Sequence, residues 1–218
     1  TSSTRENHSS RAVQLIRLWW HQRLSDFQRA GLSARQRMSL TWVDGVAADT
    51  VPADDRGLHY ADGAFETLSC DEGRIQCEDL HRRRLTRALA ALRVTSAAEQ
   101  GARLISEAGQ RLKAARHTGI ARLTVTRGSG PRGYMPPEMP QLRSILHAHP
   151  RPESSHAALR CGVAATRWAT QVQLAGLKLL ARTEQVLAAG EGAADGWDDM
   201  VMLDSDDHVI SSSRANLF

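Results

Sequence analysis

The chain has three cysteines, at 70, 77 and 161, and no C-x-x-C pair, so neither a disulfide framework nor a cysteine-rich zinc site organises it. No apolar run is long enough to span a bilayer, and no secretory hydrophobic segment with a small-residue cleavage site is present. A cytoplasmic protein with no membrane partner is the expectation. The histidines at 59, 81, 117, 147, 149 and 156 form no H-E-x-x-H arrangement. His147 and His149 can share one side of a strand, but two ligands at that spacing are a poor metal site, and no metal is expected. Internal repeats and low-complexity blocks are missing too.

Positive charge is plentiful, with 28 Lys and Arg against 24 acidic residues, but it is unevenly placed. Seven Arg before residue 38 stand against Glu6 and Asp26, so that tail carries +5 and the remainder −1. A nucleic-acid footprint should lie on the folded body, and none is expected. Within the tail, Val13, Ile16, Trp20, Leu24 and Phe27 recur at helical spacing opposite Arg17, Arg23 and Arg29, which fits a membrane-surface or partner helix. Met38 directly precedes S-L-T-W-V-D-G, a strand-like opening with an Asp-Gly turn, and this favours residues 1–37 as a basic extension outside the catalytic fold.

From Met38 onward the pattern predicts strands through Trp42 and Val43, then near 46–51, at 63–70 and at 74–77. Asp79 is expected to cap a helix presenting Leu80, Leu85, Leu89 and Leu92, and S-A-A-E at 96–99 reads as a capping box for a second helix. A strand over 120–126 leads into a glycine-rich turn, the proline-rich run 135–140 ends regular structure, and a strand follows over 142–147. Strands at 161–166, 199–203 and 208–210, with a helix over 183–189, complete the expectation. The domain reading is an N-terminal α/β domain over 38–149, a linker over 150–157 and a second domain over 158–218.

Lys178 lies four residues before Arg182 among Leu177, Leu179 and Leu180, a setting in which an amine can lose its proton and attack a carbonyl. Six motifs surround it in the chain: D-D-R-G at 54–57 with Y-A-D-G-A-F-E-T-L at 60–68, H-R-R-R-L at 81–85, T-R-G-S-G-P-R-G-Y at 126–134, L-A-G-L-K at 174–178, E-Q-V-L at 184–187 and A-N-L-F at 215–218. Together they resemble the class IV, or fold-type IV, pyridoxal-phosphate enzymes, and within them the lyases acting on 4-amino-4-deoxychorismate.

The resemblance implies a mixed α/β and α+β fold, with a small α/β domain and a barrel-like second domain that is C-terminally truncated here, since such chains continue beyond the point matching Phe218. It implies pyridoxal 5'-phosphate as cofactor, a homodimer, and conversion of a chorismate-derived amine to 4-aminobenzoate and pyruvate on the way to folate. Lys178 would hold the cofactor covalently and move protons, and Arg84 would take its phosphate. Tyr60 would line the cofactor pocket, while Phe65, Arg127, Arg132 and Tyr134 would meet the substrate. Ser211 stands where the family places a carboxylate against the pyridine nitrogen, and a serine offers only a neutral hydrogen bond there. Leu179 and Ala181 likewise replace a common His and Asn. These departures keep two alternatives open: a branched-chain or D-amino-acid aminotransferase, and a noncatalytic, degenerate member of the family.

Overall fold

The computed structural model describes residues 39–151, 158–169 and 171–217, all but Ser39 within the compact unit Leu40–Phe218. The basic extension read at 1–37, with its amphipathic face, lies outside the described residues. So does most of the expected linker, at 152–157.

The first strand, β1 (Leu40–Val43), turns through Asp44 and Gly45 into β2 (Val46–Ala47). Both turn residues have positive φ, 49° and 80°, the conformation that matches the twist of a two-residue hairpin. A five-residue helix, α1 (Arg56–Tyr60), follows, capped by the Asp55 carboxylate accepting from Gly57 N–H at 2.8 Å. The remaining elements of this half are β3 (Gly63–Asp71), β4 (Arg74–Ile75), α2 (Glu78–Ala91), α3 (Ala97–Ala114), β5 (Gly119–Thr126) and β6 (Arg143–Pro150). They build a six-stranded sheet of order β2-β1-β6-β5-β3-β4 in which every pairing is antiparallel.

The two-residue alternation of β3 decides what faces what. Ala64, Leu68 and Cys70 point to the side covered by α2 and α3, where they join Leu85, Leu89, Ile105, Leu112, Leu123 and Val125 in one core. Each such leucine contributes roughly 1.5–3 kcal/mol on leaving water. Phe65 points the other way. It therefore stands on a sheet face that no helix of this core covers.

Two helix starts differ from expectation. The residue before α2 is Cys77 and the one before α3 is Ser96; both have φ near 53° and neither makes a side-chain cap bond. A capping side chain reaches the first-turn amides from extended backbone, and the left-handed conformation turns it away. Asp79 and Glu99 lie instead in the first turns, where their charge meets the positive end of the helix dipole.

The second half contains β7 (Cys161–Val163), α4 (Thr183–Asp195), β8 (Asp199–Leu203) and β9 (Val209–Ser212). β7 and β8 run parallel, joined through α4, and β9 returns antiparallel to β8. Ala188 of α4 packs with Ala164, Met200 and Met202 in a small separate core against which Trp168 leans. The barrel-like second domain expected from the sequence is not what forms: the order β7-β8-β9 leaves an open three-stranded sheet, and neither described sheet closes on itself. Closure requires the first and last strands to pair, and among the described strands β7 and β9 each have β8 as their only neighbour. Each described strand of this half is paired with a neighbour, so no interrupted element stands where a truncated domain was expected. Among the described residues no helix is long and apolar enough to cross a membrane.

Candidate active site

Lys178 is positioned by backbone pairing. The stretch around it lies along β3 on the edge opposite β5: Phe65 N–H donates to the Lys178 carbonyl at 2.9 Å, Leu180 N–H donates to the Gly63 carbonyl at 3.1 Å, and Ala64 and Leu179 form a bridge between them. Gly63 makes this approach possible, because a Cβ there would fall onto the Val125 carbonyl and the Leu180 side chain. Alternation then sends Leu179 into the helix-covered core with Ala64 and leaves Lys178 on the same face as Phe65. Its Nζ lies 4.9 Å from the centroid of the Phe65 ring.

Two further cations converge on that ring. Arg122, from β5, holds its guanidinium carbon 3.7 Å from the Phe65 centroid, and Arg182 holds its own 5.5 Å away. Arg182 donates to the carbonyls of Leu179 at 2.9 Å and Leu177 at 3.1 Å, which tightens the turn after the lysine, and its other side approaches Trp168. Burial holds the Lys178 amine below the usual lysine range, and the positive charges of Arg84, Arg182 and Arg122 push in the same direction against the opposing pull of Glu66. The arrangement yields an amine biased toward its neutral, nucleophilic form, ringed by guanidinium groups that favour an anion.

Arg84 enters this field through a buried carboxylate. Glu66 is 1% exposed; it accepts from Arg84 Nε at 2.8 Å and from Nη2, and from His81 Nδ1 at 2.7 Å. Burial alone would raise the Glu66 pKa, but the hydrogen bonds and charges of Arg84 and His81 outweigh it and hold the carboxyl below its ordinary value. Two of the three Arg84 nitrogens are thus directed at Glu66, so the residue expected to take a phosphate is also oriented by a carboxylate.

The other residues expected at the site fall into two more groups. Tyr60, Arg127, Arg132 and Tyr134 gather around the 127–134 loop. Tyr60 Oη accepts from Gly133 N–H at 3.0 Å, and its ring meets that of Tyr134 edge-on at 5.4 Å. Arg127 is buried, donating to Asp62 at 2.8 Å and to the Leu92 carbonyl at 2.6 Å, whereas Arg132 and Tyr134 face solvent. Ser211, on β9, donates to the Ala215 carbonyl at 3.3 Å. Beside it, Ser212 and Ser213 donate to the buried Asp199 at 2.7 and 2.5 Å. Burial opposes ionisation of Asp199, but these bonds, the Met200 N–H and Arg214 together hold its pKa down.

Periodicity and spacing did not single out Arg122, Glu66 or His81, and Arg182 was noted only for its spacing from Lys178. Glu66 and His81 sit inside motifs already quoted, and the alternation of I-A-R-L-T-V-T at 120–126 places Arg122 on one face with Thr124, a signal that pairing with β3 makes usable. His147 and His149 stack at 4.0 Å, with Thr41 Oγ1 3.1 Å from His147 Nδ1. Among the described residues, Asp204, Asp206 and His208 bring ligand atoms within 4.8 Å of one another. Asp204 there accepts from the backbone N–H groups of Asp206 and His208, which shapes the turn between β8 and β9.

A family model for class IV amino-transferases matches residues 63–218. An aminodeoxychorismate lyase from Vibrio harveyi is 30% identical over 181 residues, covering 81% of this chain and 66% of that protein. The crystal structure of a 4-amino-4-deoxychorismate lyase from Pseudomonas aeruginosa is similar with a TM-score of 0.74 and 38% identity, over 80% of this chain and 65% of that one. A hypothetical aminotransferase from Mycobacterium tuberculosis, in a PLP-bound form, shares the fold at 19% identity and a TM-score of 0.63, over 81% and 66% of the two chains. The chain thus spans slightly less than two thirds of the length of these relatives.

Proposed function

The chain belongs to the class IV amino-transferase family, and from that premise we propose that it is a pyridoxal-phosphate-dependent lyase converting 4-amino-4-deoxychorismate to 4-aminobenzoate and pyruvate. The observation that carries this reading is the Lys178 amine, held by β3 beside Phe65, kept below its ordinary pKa and surrounded by Arg84, Arg122 and Arg182. The likeness to two lyases at 30% and 38% identity supports the choice of substrate.

The residues present fit the cofactor. Its aldehyde requires a neutral amine, toward which burial and neighbouring charge bias Lys178, and its phosphate would be taken by the donors of Arg84 that Glu66 leaves free, in the positive field that Arg122 and Arg182 add around the lysine. Phe65, beside the lysine, would supply apolar contact to the bound group, and Tyr60 lies at the edge of the loop that would meet the substrate. When bound, the cofactor provides an electron sink for the charge left at the amine-bearing carbon. Lys178 Nζ removes the proton from that carbon and carries it onward, a task for which a depressed pKa suits it near neutral pH. Loss of the enolpyruvyl oxygen from the neighbouring ring carbon aromatises the ring, and the leaving group takes up a proton to become pyruvate. Arg132 and Tyr134, exposed at the loop tip, are assigned to the substrate carboxylates, with Arg127 supporting the loop from behind. Ser211 places a neutral hydroxyl where the family carries a carboxylate. That substitution suits elimination better than transamination, which relies on a stronger sink. A homodimer in the cytoplasm accompanies this reading.

The test begins with the visible absorption of the purified chain after incubation with pyridoxal phosphate, with Lys178→Ala as control. A Lys178-dependent band followed by pyruvate release from aminodeoxychorismate is expected. Pyridoxamine phosphate without pyruvate would replace the lyase by a transaminase, and absence of the band in folded protein would remove the enzyme reading.

A further inference from the structure

Arg56 is 2% exposed, although it carries a full charge, and the lyase reading gives it no task. Such burial requires that its donors be satisfied. Its Nε donates to Asp62 at 2.9 Å, and the rest of its fork is turned on a single loop: Nη1 donates to the Gly133 carbonyl at 2.9 Å and more loosely to that of Pro131 at 3.5 Å, while Nη2 donates to that of Tyr134 at 3.0 Å. Tyr60, one helical turn further along α1, closes the arrangement from the donor side. Its ring lies 4.9 Å from the Arg56 guanidinium carbon and its hydroxyl accepts the Gly133 N–H. Gly130 lets the chain pass this closely, since a Cβ there would sit 2.9 Å from Arg56 Cδ.

The base of the loop is held at Gly128, whose carbonyl accepts from Arg56 N–H at 2.9 Å, and at Ser129, whose Oγ donates to Asp54 at 2.8 Å, while Arg56 and Tyr60 hold its 131–134 stretch. The loop contains no helix or strand between Thr126 and Arg143, and Tyr134, at its tip, is 87% exposed. We propose that Arg56, with Tyr60, is the positioning residue of this loop, holding residues 131–134 in the conformation from which Arg132 and Tyr134 engage the substrate. The proposal rests on the lyase reading for the substrate and on the contacts above for the loop. The anchor is itself anchored, because Asp62 accepts from both Arg56 and Arg127, so the fork enters the loop from a fixed base. Arg suits this work and Lys does not, because one planar group reaches several carbonyls that a single ammonium cannot span.

The test compares the full chain, incubated with pyridoxal phosphate, with its Arg56→Lys and Tyr60→Phe variants by amide hydrogen exchange and by steady-state kinetics of pyruvate release. In Arg56→Lys, exchange at 132–135 should rise by about tenfold and KM by about tenfold, the effect of losing one charge-assisted hydrogen bond, with kcat within about twofold. Exchange in β3 and β5 and the Lys178-dependent absorbance should not change. Tyr60→Phe should raise exchange at Gly133 alone. Parent-like loop protection in Arg56→Lys would overturn the assignment, as would a loosened loop with unchanged KM. Should Arg56→Lys also loosen the sheet, Tyr60→Phe decides: unchanged protection at Gly133 rejects the assignment. A parent chain that releases no pyruvate refutes the lyase reading instead, while loop protection still judges the hold of Arg56.

Discussion

Replacing Arg122 by methionine should raise the pKa of Lys178. The methionine keeps an unbranched apolar stem against Phe65 and removes the charge. Arg122 and Lys178 lie 3.7 and 4.9 Å from the same ring centroid, and Arg122 is among the cations that lower the lysine's pKa. For charges about 8 Å apart, with an effective dielectric of about 40–80 suited to an exposed guanidinium, the repulsion is about 0.5–1 kcal/mol, or about 0.4–0.8 pKa unit. The chain itself provides the assay. It has two lysines, Lys178 and Lys113, and Lys113 sits exposed near the end of α3 as an internal reference. Trace acetylation of the cofactor-free chain across pH 7 to 10, read by mass spectrometry, reports the neutral fraction of each amine. Arg122→Met should lower the Lys178-to-Lys113 labelling ratio near neutral pH by about two- to sixfold and shift the Lys178 midpoint upward, with Lys113 unmoved. An unchanged midpoint would refute the claim that the Arg122 charge adds to burial in lowering the pKa of the lysine, and a downward shift would reverse its sign.

Three other perturbations test separate steps. Because the fold holds the Lys178 proton less tightly than the unfolded chain does, its charge weakens the fold below the folded-state pKa, and this penalty fades as pH rises toward the ordinary lysine value; Lys178→Met should therefore stabilise at pH 7 by on the order of 1 kcal/mol in urea unfolding, with the gain shrinking above pH 10. Glu66 shows the opposite linkage: its depressed pKa contributes stability above the ordinary carboxylate range that disappears as pH falls through the folded value, so Glu66→Gln should cost about 1–3 kcal/mol at pH 7 and far less near pH 3. Gly63→Val should lose about 2 kcal/mol by overpacking against the Val125 carbonyl and Leu180, and should abolish the Lys178-dependent absorbance while far-ultraviolet dichroism still reports the helices.

The sequence shows most clearly where a single period or turn decides the outcome. The Asp44–Gly45 hairpin, the alternation of β3 and β5 and the Leu85–Leu89–Leu92 face of α2 formed close to where local patterning placed them, because each is set by contacts the pattern itself encodes, while Leu80, expected on the same face, is exposed. Features that depend on a distant partner were not legible. Helix α1 lies in the D-D-R-G stretch, which has no hydrophobic period, and it forms because Asp55 caps it while Thr126 and Arg143, far along the chain, bind the same carboxylate. Ser96 preceded its helix as expected, whereas Cys77 stands where Asp79 was expected to cap, and the turns entering both helices left neither side chain able to cap.

The site follows the same division. Lys178 is recognisable from its flanking residues, yet its chemistry depends on lying beside β3, and no local rule announces that L-K-L-L at 177–180 will pair with G-A-F at 63–65 across more than a hundred residues. That pairing sets the face of the lysine by parity alone. A register slip of one residue would send Lys178 into the core among Leu85 and Leu89 and bring Leu179 out to Phe65, costing the fold a buried charge and removing the amine from the cations around it. The same alternation therefore protects the fold and selects the face on which the chemistry can occur. Gly63 permits the close approach, Leu179 fills the core, and Lys178 is left on the open face with Arg122 and Phe65.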